Sequence, residues 1–416
     1  MALISQAILY ISLFISLFFE VFILITYFEA REELKFEKKL LEKEIRDYPT
    51  VAIIVPSYNE EKTVVGTVNS LLALDYPKDR LSLYLIDDGS TDKTLEVMNT
   101  FIDNPQIKIF TKQNEGSKYA ALNFGLSKIN ADLVGCLDAD SYVAPDALKL
   151  MIPFFEDQLT MAVTPSIKIF EPKNILQHIQ KMEYTWGIFL RRMLSSMGAL
   201  YVTPGPFSIF RTRVFRDLGV YKEAHHTEDL EMALRMQKNH YKIVNSVSAH
   251  VFTVAPHRLK ALYKQRVRWT YGFINNSFDY RDMYFKKKYG HIGMFILPVA
   301  TISIFITLYA AISFVIKMLG SLVTAVAKYQ AVGFSLHVPK VAINWFFWNT
   351  STLVVIGIAT LSISISLLLL STKIADEKKM FTKELVYYMT MYIFIVPFWL
   401  AKATYSTILG KKITWR

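Results

Sequence analysis

Hydrophobic positions are distributed unevenly along this 416-residue chain, with long apolar runs near both ends and short ones in the middle. Between residues 50 and 255, short apolar runs alternate with stretches in which hydrophobic residues recur at helical spacing. Alternating strands and helices predict a mostly parallel sheet with helices on both faces. Ligands of such sheets bind beyond the carboxyl ends of the strands. The predicted strands are 51–55, 81–86, 107–110 and 133–137, and the predicted helices are 61–74, 91–102 and 117–129.

The apolar run at the N-terminus predicts a retained transmembrane helix in residues 1–28, because it exceeds the length needed to cross a ~30 Å hydrocarbon core. No Lys or Arg precedes Arg31, whereas a signal peptide begins with a basic region. Glu20 is costly in lipid, so we expect it to face other helices or water. Residues 29–49 are predicted to form a charged linker helix along the membrane surface, ended by Pro49.

The C-terminal part, residues 291–416, is predicted to be a transmembrane region of about three spans. The segment 319–340 is less apolar and is predicted to be an outer loop or a re-entrant amphipathic piece. Pro298 and Pro397 are expected to kink the first and last spans. The runs long enough to cross a bilayer are 292–316, 343–370 and 385–409.

The distribution of charged residues predicts how the chain is oriented in the membrane. The formal net charge is +11, and the basic residues cluster beside the apolar runs, which favours anionic lipid over nucleic acid as the partner. A multi-pass plasma-membrane protein with a cytosolic middle domain also places the basic loop 371–384 in the cytosol. The tail with Lys411, Lys412 and Arg416 would then lie outside, contrary to the positive-inside rule, unless the last run does not cross.

Two amphipathic, aromatic-rich stretches, 174–198 within the middle domain and 256–290 after it, carry charges too often to span a membrane. They are predicted to be interfacial helices, with packing inside the soluble domain as the alternative. The single cysteine, Cys136, permits no intrachain disulfide and is predicted to be buried and inert in an apolar strand.

Asp138 and Asp140 follow a predicted strand and are separated by one residue. Two such carboxylates can share Mg²⁺ or Mn²⁺, which prefer oxygen ligands and often bridge to substrate phosphates. A metal on a diphosphate neutralises the charge that develops on a leaving group. A pair of solvated loop residues is the alternative for this motif taken alone.

Two other strand ends carry candidates for nucleotide binding. The stretch from Pro56 to Glu60 includes Tyr58, which could stack on a base, and Asp87 or Asp88 could accept the N3–H of a uracil. An alternative for the second stretch is a turn in which Ser90 or Thr91 caps the next helix. Lys118 lies where a cation could meet the nucleotide, unless it is a solvated helix residue.

Two later motifs fit the acceptor side. Glu228 and Asp229 open a helical pattern that Thr227 could cap, which is a sufficient structural explanation for a lone motif. Beside a diphosphate site, Asp229 is also the candidate general base for sugar transfer to a hydroxyl. In the second motif, Trp269 offers a flat face on which sugars stack, and Gln265 and Arg268 can bind phosphate or hydroxyl groups. A basic interfacial helix is the alternative.

In order and spacing, these motifs resemble the family 2 glycosyltransferases with a GT-A fold. More narrowly, the chain resembles the membrane-embedded processive synthases of cellulose, chitin, hyaluronan and poly-N-acetylglucosamine. The resemblance implies an α/β GT-A, Rossmann-like domain over 50–255, combined with transmembrane and interfacial helices. It also implies the following roles: Pro56, Tyr58, Glu60, Asp87, Asp88 and Lys118 at the nucleotide, Asp138 at the ribose or metal, Asp140 at the metal, Glu228 and Asp229 in catalysis, and Gly205, Pro206, Phe207, Gln265, Arg268 and Trp269 at the acceptor and diphosphate.

The function so implied is inverting transfer from a UDP-sugar, with a divalent metal, to elongate a β-linked polysaccharide that can be exported. Only one span precedes the domain and about three follow it, and no Phe-x-Val-Thr-x-Lys loop of the cellulose type is present. The low span count motivates an alternative, the transfer of a single sugar to a lipid carrier or glycolipid. A membrane scaffold with a degenerate domain is a third hypothesis. Assembly into a homo-oligomer is left open.

Overall fold

The computed structural model describes residues 2–333, 351–377, 379–380, 382–411 and 413. The chain divides into two compact units. We call them the helical unit, which comprises Met1–Leu24 and Val299–Leu367, and the sheet unit, which comprises Ile25–Pro298 and Leu368–Arg416. All of the predicted site residues belong to the sheet unit.

Eight strands form one sheet in the sheet unit, and its first four members lie at the positions predicted from the apolar runs. The strands are β1 (Val51–Ser57), β2 (Leu81–Asp87), β3 (Ile107–Thr111), β4 (Leu133–Cys136), β5 (Ser141–Val143), β6 (Thr160–Ile169), β7 (Ile209–Arg211) and β8 (Lys242–Thr253).

The order of the strands is β3-β2-β1-β4-β7-β6-β8-β5. The first four strands pair in parallel, as in a Rossmann-like sheet. The second half is mixed, because β7 runs antiparallel between β4 and β6, β8 pairs in parallel with β6, and β5 is antiparallel to β8. The predicted α/β GT-A fold with a mostly parallel sheet is therefore confirmed, and the antiparallel insertion is the part that periodicity did not predict.

Hydrophobic residues cover both faces of the parallel half. Ile54 of β1 packs into one core cluster, whereas its neighbours Ile53 and Val55 pack into the other. This alternation follows from the two-residue period of a strand, and full burial on both sides explains the continuous apolar runs. The middle of the chain thus forms a covered sheet whose strand ends are left for function.

The helices complete both units and include the predicted membrane and interfacial segments. They are α1 (Ala2–Leu41), α2 (Val64–Leu72), α3 (Thr94–Asn99), α4 (Lys118–Leu126), α5 (Ile175–Ser196), α6 (Arg213–Leu218), α7 (Glu228–Lys238), α8 (Leu259–Asp279), α9 (Leu297–Val332), α10 (Thr352–Ile374), α11 (Lys383–Tyr387) and α12 (Ile393–Ile408).

Four helices in the described part of the chain are long and apolar enough to cross a membrane: Gln6–Leu41, Ile292–Ala331, Thr352–Ile374 and Lys383–Ile408. The first continues into the charged stretch without a break but ends at Leu41. The predicted linker helix over 29–49 is therefore shorter than expected, and Pro49 does not end it. The predicted loop or re-entrant piece at 319–340 is wrong as far as Val332, because α9 continues to that residue and ends at Gly333, whose φ of 76° suits a helix C-terminus. Residues 334–340, and the predicted span from 343 to 350, lie outside the described residues.

The two membrane prolines are each preceded by a π-helical turn. Ile292–Ile296 comes directly before Leu297 and Pro298, and Tyr388–Tyr392 comes before the helix that contains Pro397. Proline has no amide hydrogen and clashes with the preceding turn of an α-helix. A wider turn beside each proline is a local adjustment of the kind seen at functional sites in helices.

Glu20 is paired within the helical unit. Its carboxylate accepts a hydrogen bond from the hydroxyl of Ser364 on α10. The expectation that this acid faces another helix is therefore confirmed.

The C-terminal helices pack along the sheet unit at both of their ends. Glu384 contacts His178 of α5 at 2.9 Å, and the Thr407 hydroxyl accepts a hydrogen bond from Asn275 of α8 at 3.1 Å. Beyond α12, the carbonyl of Ile413 lies 2.8 Å from the His226 ring. The tail therefore returns to the sheet unit, which favours the alternative that the last apolar run does not cross. Lys412 and Arg416 lie outside the described residues.

Candidate active site

The ends of β2, β1 and β4 lie side by side, so three predicted motifs meet at one edge of the sheet. The loops after β1 and β2 are joined directly: the Asn59 amide donates to the Ser90 hydroxyl at 3.0 Å, and the Thr91 amide donates to the Asn59 side chain at 2.8 Å. Ser90 and Thr91 were alternatives for a helix cap, but α3 begins only at Thr94. Their contacts therefore shape the edge of the cleft that is predicted to bind the nucleotide.

Asp87 and Asp88 are both buried at the end of β2. Asp87 accepts a hydrogen bond from the Ser90 amide at 3.1 Å, while Asp88 forms an ion pair with Lys112 at 2.9 Å. Burial raises the pKa of Asp88, and Lys112 opposes that shift. The sequence reading missed Lys112, which lies just beyond β3 and carries no motif. Pro56, Tyr58 and Glu60 are half-buried at the adjacent strand end.

Lys118 lies at the centre of the cleft. Its ammonium group forms an ion pair with Asp138 and is 3.7 Å from Glu228. Burial lowers the pKa of Lys118, but these two carboxylates outweigh it, so the net pKa is raised. A Cβ atom on Gly205 would lie 2.6 Å from the same ammonium, so any larger residue there would displace the end of the Lys118 side chain. The predicted nucleotide, metal, catalytic and acceptor motifs thus converge on one cation.

Asp138 and Asp140 suit a hard divalent cation. Burial, together with the neighbouring carboxylates of Asp138 and Glu60, raises the pKa of Asp140 to about 6. Carboxylates crowded in this way gain from a bound cation, and their oxygen atoms are the ligands that Mg²⁺ and Mn²⁺ prefer. Among the described residues, no three His, Cys, Asp or Glu side chains are grouped to hold a metal on their own. Two protein ligands would leave positions open for phosphate oxygens.

Glu228 and Asp229 occupy the first turn of α7, next to Lys118. Burial raises the pKa of Asp229, with Lys118 and Arg268 acting in the opposite direction. The Leu230 amide donates to the Asp229 carboxylate at 2.8 Å, so one of its oxygen atoms is held in place. Arg268, predicted to act at the acceptor and diphosphate, is therefore electrostatically coupled to the candidate base.

A strained turn precedes these acids. Ala224, His225 and His226 have consecutive positive φ values of 45°, 53° and 68°, a conformation that is costly for residues with a side chain and is often found at functional sites. Thr227 occupies the N-cap position of α7 as predicted, but its hydroxyl donates to the Ala224 carbonyl at 3.2 Å and makes no capping bond to the helix. Tertiary contacts must therefore hold the turn.

Helix α8 supplies those contacts. The side-chain amide of Asn276 donates to the Thr227 hydroxyl at 2.9 Å and to the Ala224 carbonyl at 3.1 Å. Gly272, one helical turn earlier, faces Thr227 so closely that a Cβ atom would overlap its side chain. Neither Gly272 nor Asn276 belongs to a motif that the sequence reading used, although both follow Trp269 on the same helix.

Trp269 is held by an ion pair that the sequence reading also missed. The Arg266 guanidinium lies 4.2 Å from the centre of the Trp269 ring, and it donates to both oxygens of Glu183 on α5, at 3.1 and 2.7 Å. It also donates to the Gln265 side chain at 2.6 Å. Trp269 remains 37% exposed, so its other surface is accessible for stacking.

The residues of the predicted acceptor loop differ in burial. Pro206 is half-buried, whereas the Phe207 side chain is fully buried and its amide donates to the Cys136 carbonyl at 2.6 Å. Phe207 thus anchors the loop from within the core instead of presenting its ring to the cleft. Burial raises the pKa of the Cys136 thiol to about 12, and the thiol contacts the Gly205 carbonyl at 2.9 Å, which confirms a buried, inert cysteine.

Replacing Glu183 with Gln should lower kcat roughly 10-fold to 100-fold and leave UDP affinity unchanged. The change removes the negative charge that pairs with two Arg266 nitrogens, so Arg266 and Trp269 lose their fixed position, and small misplacements of catalytic groups have costs of that size. Steady-state kinetics and UDP titration measure the two effects, with the exposed Glu156→Gln as control. A loss of UDP affinity at unchanged kcat would contradict a positioning role for Glu183.

Residues 52–219 match the family model described as Glycosyl transferase family 2. The chain is 28% identical over 344 residues to the poly-β-1,6-N-acetyl-D-glucosamine synthase of Staphylococcus epidermidis, covering 82% of this chain and 80% of that protein. It is 30% identical over 274 residues to the synthase of the same name from Staphylococcus aureus strain COL, covering 65% and 66%.

Among solved structures, the mannosyltransferase PcManGT from Pyrobaculum calidifontis, in complex with GDP-Man and Mn²⁺, superposes with a TM-score of 0.61. The match covers 98% of this chain and 99% of that chain at 18% identity, and it shows a likeness of fold.

Proposed function

We propose that this chain, which belongs to the family 2 glycosyltransferases, is a membrane-bound inverting enzyme. It elongates a β-linked polysaccharide from a UDP-sugar. The observation that carries the proposal is the convergence of Asp138, Glu228 and Gly205 on Lys118. Relatives named poly-β-1,6-N-acetyl-D-glucosamine synthases match along most of the chain, so UDP-N-acetylglucosamine is the proposed donor and a β-1,6 linkage the proposed product.

On the donor side, Asp88 accepts the uracil N3–H with the carboxylate oxygen that Lys112 does not hold, and Tyr58 stacks on the base. Lys118 stays protonated because of its carboxylate neighbours and supplies positive charge near the diphosphate. Asp138 and Asp140 would hold Mg²⁺ or Mn²⁺, which would neutralise charge on the departing diphosphate. Arg268 adds a second, fixed cation on the acceptor side.

On the acceptor side, Trp269 stacks on the terminal sugar and Gly205 and Pro206 border its path. Asp229 accepts the proton of the attacking hydroxyl, while the oxygen forms the new bond to the anomeric carbon and the bond to UDP breaks. Attack from the side opposite the diphosphate converts an α-linked donor into a β-linked product. A pocket of about 170 Å³ between Lys118, Tyr119, Glu223 and Glu228 leaves room at this point.

Replacing Asp140 with Asn should weaken Mn²⁺-dependent UDP binding by roughly 100-fold or more, since even changes in outer-sphere residues of metal sites cost 10-fold to 100-fold. Calorimetric titration of UDP with and without Mn²⁺ measures the loss. The exposed Asp146→Asn serves as the control. Equal UDP affinity for the Asp140 variant and the control in Mn²⁺ would rule out this ligand.

The pH dependence of transfer should report the burial of Asp229. Only its carboxylate can accept a proton, and burial raises its pKa, so the activity should be lost on acidification at a higher pH than an exposed aspartate would give. Activity is therefore present at pH values above the raised pKa of Asp229 and is lost as the pH falls through that pKa. The acid limb of a kcat/KM profile measured at saturating metal would show this, and a limb at the pKa of an ordinary aspartate would contradict it.

Product sizing tests the proposal as a whole. Purified full-length protein in lipid vesicles, given Mn²⁺ and labelled UDP-N-acetylglucosamine, should form a product whose length grows with time and which a β-1,6-specific glucosaminidase degrades. A panel of UDP- and GDP-sugars run in parallel checks the choice of donor. No polymer from any of them would overturn elongation.

The second candidate is the transfer of one sugar to a lipid carrier or glycolipid. It is favoured by the small number of membrane helices, since only four candidates occur in the described part of the chain. It predicts a single labelled species that partitions into organic solvent and does not lengthen with time.

A further inference from the structure

A second cavity, of about 520 Å³, lies where the start of α5 meets α11, and it shares no lining residue with the active-site pocket. We call it the basic cavity. Its lining includes Lys173, Ile175, His178, Lys383 and Tyr387, and none of its lining residues is an aspartate or glutamate.

The two lysines come from different elements that are fixed to each other. The Lys173 amide donates to the Gln177 side chain at 2.9 Å, and that side chain donates to the Ala255 carbonyl at 2.8 Å. Next to Lys383, Glu384 is buried and pairs with His178 at 2.9 Å. The backbone positions from which both lysines extend are therefore held by buried contacts, which limits the entropy lost when they bind an anion together.

Charges around the basic cavity leave the two lysines uncompensated. Glu384 faces His178, and Glu377 forms an ion pair with Lys181 at 2.8 Å, so both nearby acids have partners. Neither Lys173 nor Lys383 forms an ion pair with any residue that the structure describes. Two positive charges in a cavity without a carboxylate favour an anion with several acceptor oxygens.

The apolar surroundings indicate which anion. Lys383 is the first residue of the apolar helix Lys383–Ile408, so the cavity lies at the level where that helix begins. Ile175 lines the cavity and is 49% exposed, and Val386 is 58% exposed. Tyrosine, here Tyr387, is typical of the level of lipid headgroups. We infer that the basic cavity binds the phosphate of an anionic phospholipid, with an acyl chain along the exposed apolar residues.

The test uses purified full-length protein in phosphatidylcholine nanodiscs that contain increasing fractions of phosphatidylglycerol. Native mass spectrometry counts the phosphatidylglycerol retained per protein. Each lysine near a membrane surface contributes about one kcal/mol to anionic lipid binding, so K173Q/K383Q should bind phosphatidylglycerol roughly 30-fold more weakly. K286Q/K287Q removes two exposed lysines close to the start of the π-helical turn before α9, outside the cavity, and controls for the general attraction of anionic lipid to membrane-proximal charge, so it should lose clearly less lipid than K173Q/K383Q.

Two outcomes would overturn the inference. Equal lipid retention in both double variants would show that the basic cavity is not the site. Displacement of the lipid by low millimolar inorganic phosphate would show an anion site without preference for lipid. UDP titration of each variant checks that the sheet unit is folded, and because lipid retention does not depend on transfer, the result is separate from the proposed function.

Discussion

Replacing Asp229 with Asn should lower kcat by roughly 10²-fold to 10⁴-fold, the usual contribution of a general base. The amide has the same shape and can still accept the hydrogen bond from the Leu230 amide, so the first turn of α7 should persist. It cannot take up the proton of the acceptor hydroxyl. UDP and Mn²⁺ affinity should change little, because Asp229 is placed on the acceptor side of Lys118.

Single-turnover transfer and UDP titration, measured on the same protein, separate the two effects. Asp103 is exposed, and Asp103→Asn is the matched control for loss of one negative charge. Loss of UDP binding together with activity would show that Asp229 serves the donor, and the base would have to be sought elsewhere. Glu228 provides a contrast, since it lies 3.7 Å from Lys118 and Glu228→Gln should raise KM for the donor.

Replacing Gly272 with Ala should reduce kcat about 100-fold although Gly272 touches no substrate. A Cβ atom there overlaps the Thr227 side chain, so either α8 or the strained turn must move. Overpacking of this kind costs roughly 1–3 kcal/mol of folding free energy. Thr227 is followed by Glu228 and Asp229, and a displacement of about 1 Å in catalytic groups lowers the rate by about this factor.

Steady-state kinetics and thermal unfolding measure the two consequences. Gly320→Ala on α9 is the matched control, because a Cβ there would meet no atom within 4 Å and alanine is also the better helix former. Adding Thr227→Ala to Gly272→Ala removes two of the three overlapping atoms of Thr227, Oγ1 and Cγ2, and leaves its Cβ at 2.8 Å, so it should restore part of the activity. A double variant no more active than Gly272→Ala would show that the overlap is not the cause.

Local pattern was enough to predict the strands of the parallel half and the helices between them. The apolar runs of β1, β2 and β4 are buried on both faces, whereas the edge strand β3 is fully buried only at Ile107. Short continuous apolar runs of this kind are the pattern expected for buried strands. The ends of adjacent parallel strands meet at one edge of a sheet, so the proximity of Asp87, Asp138 and the loop after β1 also followed from the sequence.

Contacts between residues far apart in the chain were not predictable in this way. Lys112 reaches Asp88, Glu183 reaches Arg266, and Asn276 reaches Thr227 only after α5, α8 and the strands have packed. No periodicity encodes such pairs, since each depends on the relative placement of two elements. The same reason explains why the predicted side-chain caps did not form. The hydroxyls of Ser90 and Thr227 accept hydrogen bonds from Asn59 and Asn276 instead of from helix amides.

By itself, the sequence determined the α/β class of the middle domain, the presence of long apolar helices near both ends of the chain and the identity of the acids at the strand ends, because these depend on local hydrophobicity and residue type. The tertiary structure alone decided the antiparallel insertion of β7, the continuation of α9 to Val332, and the return of Ile413 to the sheet unit. These features follow from the packing of distant segments, whose free energy is distributed over many contacts and leaves no short pattern along the chain.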